Sequence, residues 1–179
     1  YLAKEEIVQA TYLLIDIAPN KIDKYLYDVF PSLVSWGELA FALKVLNTKL
    51  AVVDNDIDKG YLYYHLCNVH HLLGNREEST SCIDKSLEHL KIARHKKFYA
   101  AALMFKAMNL IEHGKINEAT KIADKVFLNI KEDDKEFKAP LLVNLSKIYV
   151  DLSEFEKGAN ACKEAFEIFE EQSVTEGMI

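Results

Sequence analysis

Four side chains that can bind metal ions or exchange protons lie close together between residues 65 and 71. They are His65, Cys67, His70 and His71. Cys67 and His71 are four residues apart, so on a helix they share a face, as paired zinc ligands do. No second ligand pair stands at metal-site spacing, and Cys67 and His70 fit the period of a buried helical stripe. We interpret the cluster as core packing and predict no metal and no cofactor.

Paired carboxylates are the other candidates for chemistry, because two carboxyl groups in a desolvated cleft can act as general acid and base. The pairs are Glu77–Glu78, Asp133–Asp134 and Glu170–Glu171. All three fall at expected helix ends or loops, where carboxylates stay solvated. The sequence also has no glycine-rich phosphate loop and no nucleophile elbow. We therefore predict that the chain is not an enzyme.

The composition favours helices and a reducing compartment. Half of the 179 residues are hydrophobic, and six Gly and three Pro are few for an all-β protein. The net charge is −6 with mixed signs, and the densest basic stretch, Lys91–Lys97, ends an expected helix, where the macrodipole favours cations. This charge pattern argues against direct nucleic-acid contacts. Three widely spaced cysteines and the lack of a long apolar run indicate a soluble cytoplasmic protein. Because the chain opens on Tyr1 rather than Met, we expect a piece of a longer protein.

An internal repeat explains the elements that would position these residues. Three segments of 30 residues align without gaps, beginning at Tyr61, Ala101 and Pro140. One column, spaced by 40 and 39 residues, holds Gly74, Gly114 and Ser153. A second column, five residues later, holds Ser79, Ala119 and Gly158. The first column predicts a left-handed helix end, and the second predicts a close approach of two antiparallel helices.

The apolar periodicity extends each second helix and reaches upstream. The buried stripe is predicted to continue through Ile83 and Leu87, Ala123 and Phe127, and Cys162 and Phe166. A degenerate repeat at 21–55 has Gly37 in the turn column and Ala42 in the small column. The predicted organisation of residues 1–179 is one repeat domain: a capping or truncated helix (1–20), the degenerate repeat, repeats at 59–97, 98–132 and 135–171, and a frayed tail (172–179).

The stretches "YHLCNVHHLLGNREES", "LMFKAMNLIEHGKINEA" and "LVNLSKIYVDLSEFEKG" resemble the tetratricopeptide repeat (TPR). The resemblance runs from Lys59 to Glu171, with Ser153 in place of Gly, no proline at the repeat ends and a period of about 40 residues. It implies an all-α fold, a right-handed superhelical solenoid of antiparallel helix hairpins. The extended period also resembles the repeat domains of Gram-positive quorum-sensing peptide receptors.

The same resemblance implies a concave groove, lined by the second, fifth, ninth and twelfth columns of each repeat. Those columns include Tyr61, Tyr64, Asn68, His71, Met104, Met108 and Lys147. An amide such as Asn68 can hydrogen-bond the main chain of an extended peptide in a bidentate way. Asn also occupies this column in repeats without a ligand, so both interpretations stay open.

Three functions follow from this interpretation. The first is a non-catalytic scaffold for a peptide or protein, and its sharper form is the signal-peptide-sensing domain of a bacterial transcriptional regulator. The second is a subunit-assembly or dimerisation module, including a homodimer. The third, a catalytic or accessory enzyme domain, has no residues to support it.

Overall fold

The computed structural model of the protein describes residues 6–11, 30–130 and 135–176, and the regular elements in these ranges are helices. Two short segments, α1 (6–11) and α2 (30–35), precede the longer helices. The longer ones are α3 Leu39–Leu50, α4 Asp56–Leu72, α5 Arg76–Ile92, α6 Lys96–Glu112, α7 Ile116–Asn129, α8 Lys135–Asp151 and α9 Phe155–Glu176. The predicted all-α solenoid class is confirmed. Most of the predicted first helix and the early part of the degenerate repeat lie outside the described residues.

The predicted hairpin turns are confirmed by their backbone geometry. Gly37, Gly74 and Gly114 have φ of 77°, 76° and 71°, and Ser153 has φ of 60°. At the first complete repeat, the Gly74 amide donates to the His71 carbonyl (2.9 Å) and the next amide donates to the carbonyl of residue 70 (2.9 Å). The same pair of bonds closes the other three turns. These bonds satisfy carbonyls that a helix end leaves open, and Gly adopts the required φ without steric cost.

The chain divides into two compact units, of which unit 1 spans Tyr1–Arg94. Its core includes the buried side chains Leu33, Phe41, Leu46, Leu62, Leu66 and Val69. Helices α4 and α5 approach closely at Gly60, where a Cβ atom would lie 2.5 Å from Leu90 Cγ. The hydroxyls of Ser86 and Ser79 cross this interface and donate to the carbonyls of Gly60 (2.7 Å) and Cys67 (3.1 Å). The buried position of Ser79 was predicted, whereas the contact at Gly60 was not.

Unit 2 spans His95–Ile179 and contains the hairpins α6–α7 and α8–α9, with α8 packed against α6 and α7. Ala119 is fully buried and Gly158 is buried too, as their column predicts. A Cβ atom on Gly158 would lie 3.2 Å from the Ser146 carbonyl oxygen, so α8 and α9 also meet closely at a small residue. No helix in the described ranges is both long and apolar enough to cross a membrane.

The predicted stripe is wrong on α9. Cys162 is exposed and Phe166 is 59% exposed, whereas α9 buries Ala161, Ala165 and Ile168. The equivalent of Cys162 on α7 is Ala123, which is fully buried in a hairpin that α8 covers. On α9, which packs against α8, the same column lies at the surface. Helix α9 itself continues to Glu176, past the predicted end of the repeat.

Candidate ligand-binding site

Four of the predicted groove residues form one continuous stripe on α4 of unit 1. Tyr61, Tyr64, Asn68 and His71 follow each other at steps of three, four and three residues, so they share one face of the helix. All four are half-buried. We call this set the α4 stripe. Within the described ranges the Asn68 amide has no hydrogen-bond partner, so its donor and acceptor can serve a ligand.

The phenol of Tyr64 is held in its neutral form. Burial raises its pKa, and a smaller contribution from the neighbouring Cys67 raises it further. A protonated hydroxyl can both donate and accept a hydrogen bond, while the ring provides apolar contact area. Tyr64 therefore combines two properties that suit a binding surface.

His65 lies against the two tyrosines of the α4 stripe. Its ring centroid is 4.2 Å from that of Tyr61, 5.3 Å from that of Tyr64 and 4.5 Å from that of Phe30, all in edge-on geometry. Both ring nitrogens are shielded from solvent, and neither has a hydrogen-bond partner in the part of the chain that the structure describes. Burial lowers the pKa of His65 to about 4. The imidazole is thus a neutral member of an aromatic cluster that supports Tyr61 and Tyr64.

The remaining predicted groove residues belong to unit 2 and differ in exposure. Met108 is 40% exposed and Lys147 is exposed, and both occupy the repeat column of Asn68. Met104 is only 6% exposed, so its side chain packs inside unit 2 and offers little surface. Helical spacing could not distinguish these cases, because the exposure of each column depends on the neighbouring helices.

The residues of the suspected metal cluster have other contacts. Cys67 is buried and its sulfur lies 3.3 Å from the Ser79 hydroxyl. His70 Nδ1 lies 3.3 Å from the Asn75 amide. No group of three His, Cys, Asp or Glu side chains in the described ranges is arranged to hold a metal ion. Their contacts are those of a helix hairpin.

Unit 2 contains a polar cluster that the sequence did not indicate. The Asp124 carboxylate accepts hydrogen bonds from Tyr149 Oη (2.9 Å) and Lys157 Nζ (3.0 and 3.1 Å). Burial and the bond to Asp124 raise the pKa of Tyr149, and the same carboxylate raises the pKa of Lys157. The three side chains border a cleft of about 260 Å³ together with Phe127, Leu128 and Asn160. The phenol and the ammonium are both held protonated, which suits joining α7, α8 and α9 rather than accepting a proton.

An acid–base pair in unit 1 has a similar position between helices. His89 Nδ1 lies 2.7 Å from an Asp56 carboxylate oxygen, and the Tyr63 ring stacks on His89 with centroids 5.6 Å apart. Asp56 begins α4 and His89 lies in the last turn of α5, so the pair joins the open ends of one hairpin. This geometry explains the pair as a structural contact.

Comparisons with known proteins support the fold but do not identify a family. No protein-family model matches the sequence, and no curated protein matches it. Among solved structures, MamA matches with a TM-score of 0.60 at 13% identity, covering 96% of this chain and 93% of MamA. The apo form of RapI matches with a TM-score of 0.60 at 22% identity, covering 84% of this chain and 57% of RapI. The structure and these likenesses together assign the chain a TPR-like, all-α fold.

Proposed function

We propose that the protein is a non-catalytic scaffold that binds an extended peptide or protein segment along the α4 stripe. The observation that carries this proposal is the position of Asn68, an amide without a partner in the described ranges, between Tyr64 and His71 on one helix face. An extended peptide exposes alternating carbonyl and N–H groups. The Asn68 amide offers one donor group and one acceptor, so it can bind the main chain of such a peptide whatever its side chains.

The tyrosines add affinity of a different kind. Tyr61 and Tyr64 supply apolar area with polar ends, a combination enriched where proteins bind one another. In unit 2, Met108 supplies an adaptable apolar side chain and Lys147 a positive charge. Each suits contact with a peptide.

A sharper form of the proposal is a cytoplasmic signal-peptide sensor of a bacterial transcriptional regulator. Two observations support it: the resemblance of the extended repeats to quorum-sensing peptide receptors, and the likeness to the apo form of RapI. In this form the partner is a short peptide, and this segment makes no direct contact with nucleic acid. The dimerisation module stays a second prediction.

Titration of the intact chain with a fluorescent short-peptide library tests the scaffold. For a peptide that binds, Asn68→Ala should weaken the affinity by about 5-fold to 150-fold, since a pair of lost hydrogen bonds costs about 1–3 kcal/mol. Asn117→Ala, on an exposed residue of the first turn of α7, is the matched control and should leave the affinity unchanged. Binding that ignores the Asn68 change would remove this site assignment.

Light scattering over a wide concentration range tests dimerisation separately. A mass that rises from one chain to two would support the module, and a constant mass of one chain would exclude a homodimer.

A further inference from the structure

Helix α9 carries an exposed row of apolar side chains that the α4 stripe does not involve. Phe155, Phe166 and Phe169 are 65%, 59% and 44% exposed, and Cys162 lies exposed between them. Successive members are seven, four and three residues apart, so they share one face of the helix. We call this set the outer stripe of α9. Three exposed phenylalanines in one row go beyond the scattered apolar residues of an ordinary surface.

The preceding repeat shows how far the equivalent columns are buried. The residues of α9 from Phe155 to Ile168 have equivalents in α7, 39 positions earlier, and the equivalent of Phe169 is Ile130, the C-cap of α7. The equivalents of Cys162 and Phe169 are Ala123 and Ile130, which are 0% and 1% exposed. Helix α8 packs against α7 in the same unit. Two of the four columns of the outer stripe are thus buried one repeat earlier, whereas the columns of Phe155 and Phe166 hold Ile116, which is 41% exposed, and Phe127, which is half-buried.

The size of the outer stripe matches a single helix. At about 200 Å² for a whole phenylalanine side chain, the exposed fractions of the three rings amount to about 340 Å². A standard interface between two globular proteins needs about 800 Å² on each partner. The stripe extends from Phe155 to Phe169, which is about 21 Å or four helical turns. One amphipathic helix covers this length and area.

The charges beside the stripe select the kind of helix. Glu156, Glu167 and Glu170 lie on the solvent side of the stripe, and Lys163 pairs with Glu167 at 3.9 Å. The described side chains of α9 include five glutamates and two lysines. Two α9 helices placed face to face in an antiparallel arrangement would bring glutamates of one copy near those of the other, which is unfavourable. A helix with basic residues beside its apolar face complements these charges.

We propose that the outer stripe of α9 is a docking site for one amphipathic helix of a different protein, with an apolar face and lysine or arginine residues along its edges. The site is independent of the α4 stripe, which lies on another unit, and does not rest on the proposed peptide-binding function. It gives the chain a binding site for a helical partner.

Two synthetic 17-residue helical peptides test the proposal with the intact chain. Both have the same leucine and alanine face, and they differ only in lysine or glutamate along the edges. Fluorescence anisotropy measures their binding. We expect the lysine peptide to bind at least 10-fold more tightly than the glutamate peptide, and high salt to weaken it. Equal binding of the two peptides would overturn the proposal.

Cys162 reports where the peptide binds, because its exposed thiol lies in the middle of the stripe. A saturating lysine peptide should slow maleimide modification of Cys162, measured by mass spectrometry of proteolytic fragments, by about 10-fold or more. Modification of the half-buried Cys82 of unit 1 should not change. Unchanged modification of Cys162 would place the peptide elsewhere and overturn the proposal.

Matched charge substitutions complete the test. Phe166→Glu should abolish binding of the lysine peptide, whereas Leu128→Glu, at a 64% exposed position on α7, should preserve it. Both positions are exposed, so both variants should keep the helical circular-dichroism spectrum of the parent. Equal binding by the two variants would contradict the site. Concentration-dependent dimerisation with a Cys162–Cys162 cross-link would show that a second copy is the occupant and overturn the proposal too.

Discussion

Acidification should destabilise unit 1 through His65, and replacing His65 should remove this effect. The ring nitrogens are shielded, and the ring lies among Phe30, Tyr61 and Tyr64, with no charged side chain among these contacts. Protonation would place an uncompensated charge in this aromatic cluster. The repeat suggests the substitution, since Phe105 occupies the same column in the next repeat. The variant is therefore His65→Phe.

The magnitude follows from the difference in proton affinity. Burial lowers the pKa of His65 from 6.5 to about 4. Between these values the unfolded chain binds the proton more strongly than the folded chain, so stability is complete above pH 6.5 and falls as the pH drops toward 4. At pH 5 the free energy of unfolding is lower by about 2 kcal/mol, and well below pH 4 it is lower by about 3.4 kcal/mol. Each unit of difference between the two pKa values corresponds to about 1.36 kcal/mol.

Urea unfolding at pH 8 and pH 5, followed by tryptophan fluorescence, measures this loss. The single tryptophan, Trp36, packs against the core of unit 1, so its emission reports the unit that contains His65. Titrating carboxylates affect parent and variant alike. The parent should therefore lose about 2 kcal/mol more than His65→Phe between the two pH values. His65→Leu should behave like the Phe variant, which excludes an effect of the new ring. Equal pH dependence of the parent and both variants would refute the reasoning.

Three further predictions concern packing and turns. Ser153→Gly should raise the free energy of unfolding by about 1 kcal/mol and Gly114→Ala should lower it by a similar amount, because both positions have a left-handed φ; chemical denaturation measures both. Gly60→Ala should lower the free energy of unfolding by about 1–3 kcal/mol in the same assay, since the new Cβ would meet Leu90. Leu90→Ala should lower this free energy by less in the Gly60→Ala variant than in the parent. Tyr149→Phe should lower the free energy of unfolding by about 1 kcal/mol through the lost hydrogen bond to Asp124. Thermal unfolding measures this effect, and an unchanged midpoint would show that the bond contributes nothing.

The position of each turn could be predicted because turns depend on local physics. A residue that ends a helix in the left-handed conformation is restricted by its own side chain, so Gly74 and Gly114 are visible without neighbours. The column of small residues is nearly as local, since two antiparallel helices joined by a short turn must meet near it. Ser79 is buried there as expected.

The errors concern contacts between helices that are distant in the chain. Cys162 and Phe166 have the spacing of a buried stripe, yet they are exposed because burial requires a covering helix as well as a period. Met104 has the column of a groove residue and is buried. The surroundings of His65 could not be predicted either, since Phe30 comes from another helix.

The sequence by itself determined the helices and their hairpin turns, because periodicity and the backbone freedom of glycine act within a few residues. The residues of the α4 stripe came from the resemblance to the TPR family. Only the tertiary structure decided which faces stay open and which polar groups meet. Asp124, Tyr149 and Lys157 lie on three helices, and nothing in the spacing of these residues indicates that they share one hydrogen-bond network. The exposure of the outer stripe of α9 was likewise decided by the tertiary structure, because the burial of a side chain depends on which helices pack against it in the folded chain.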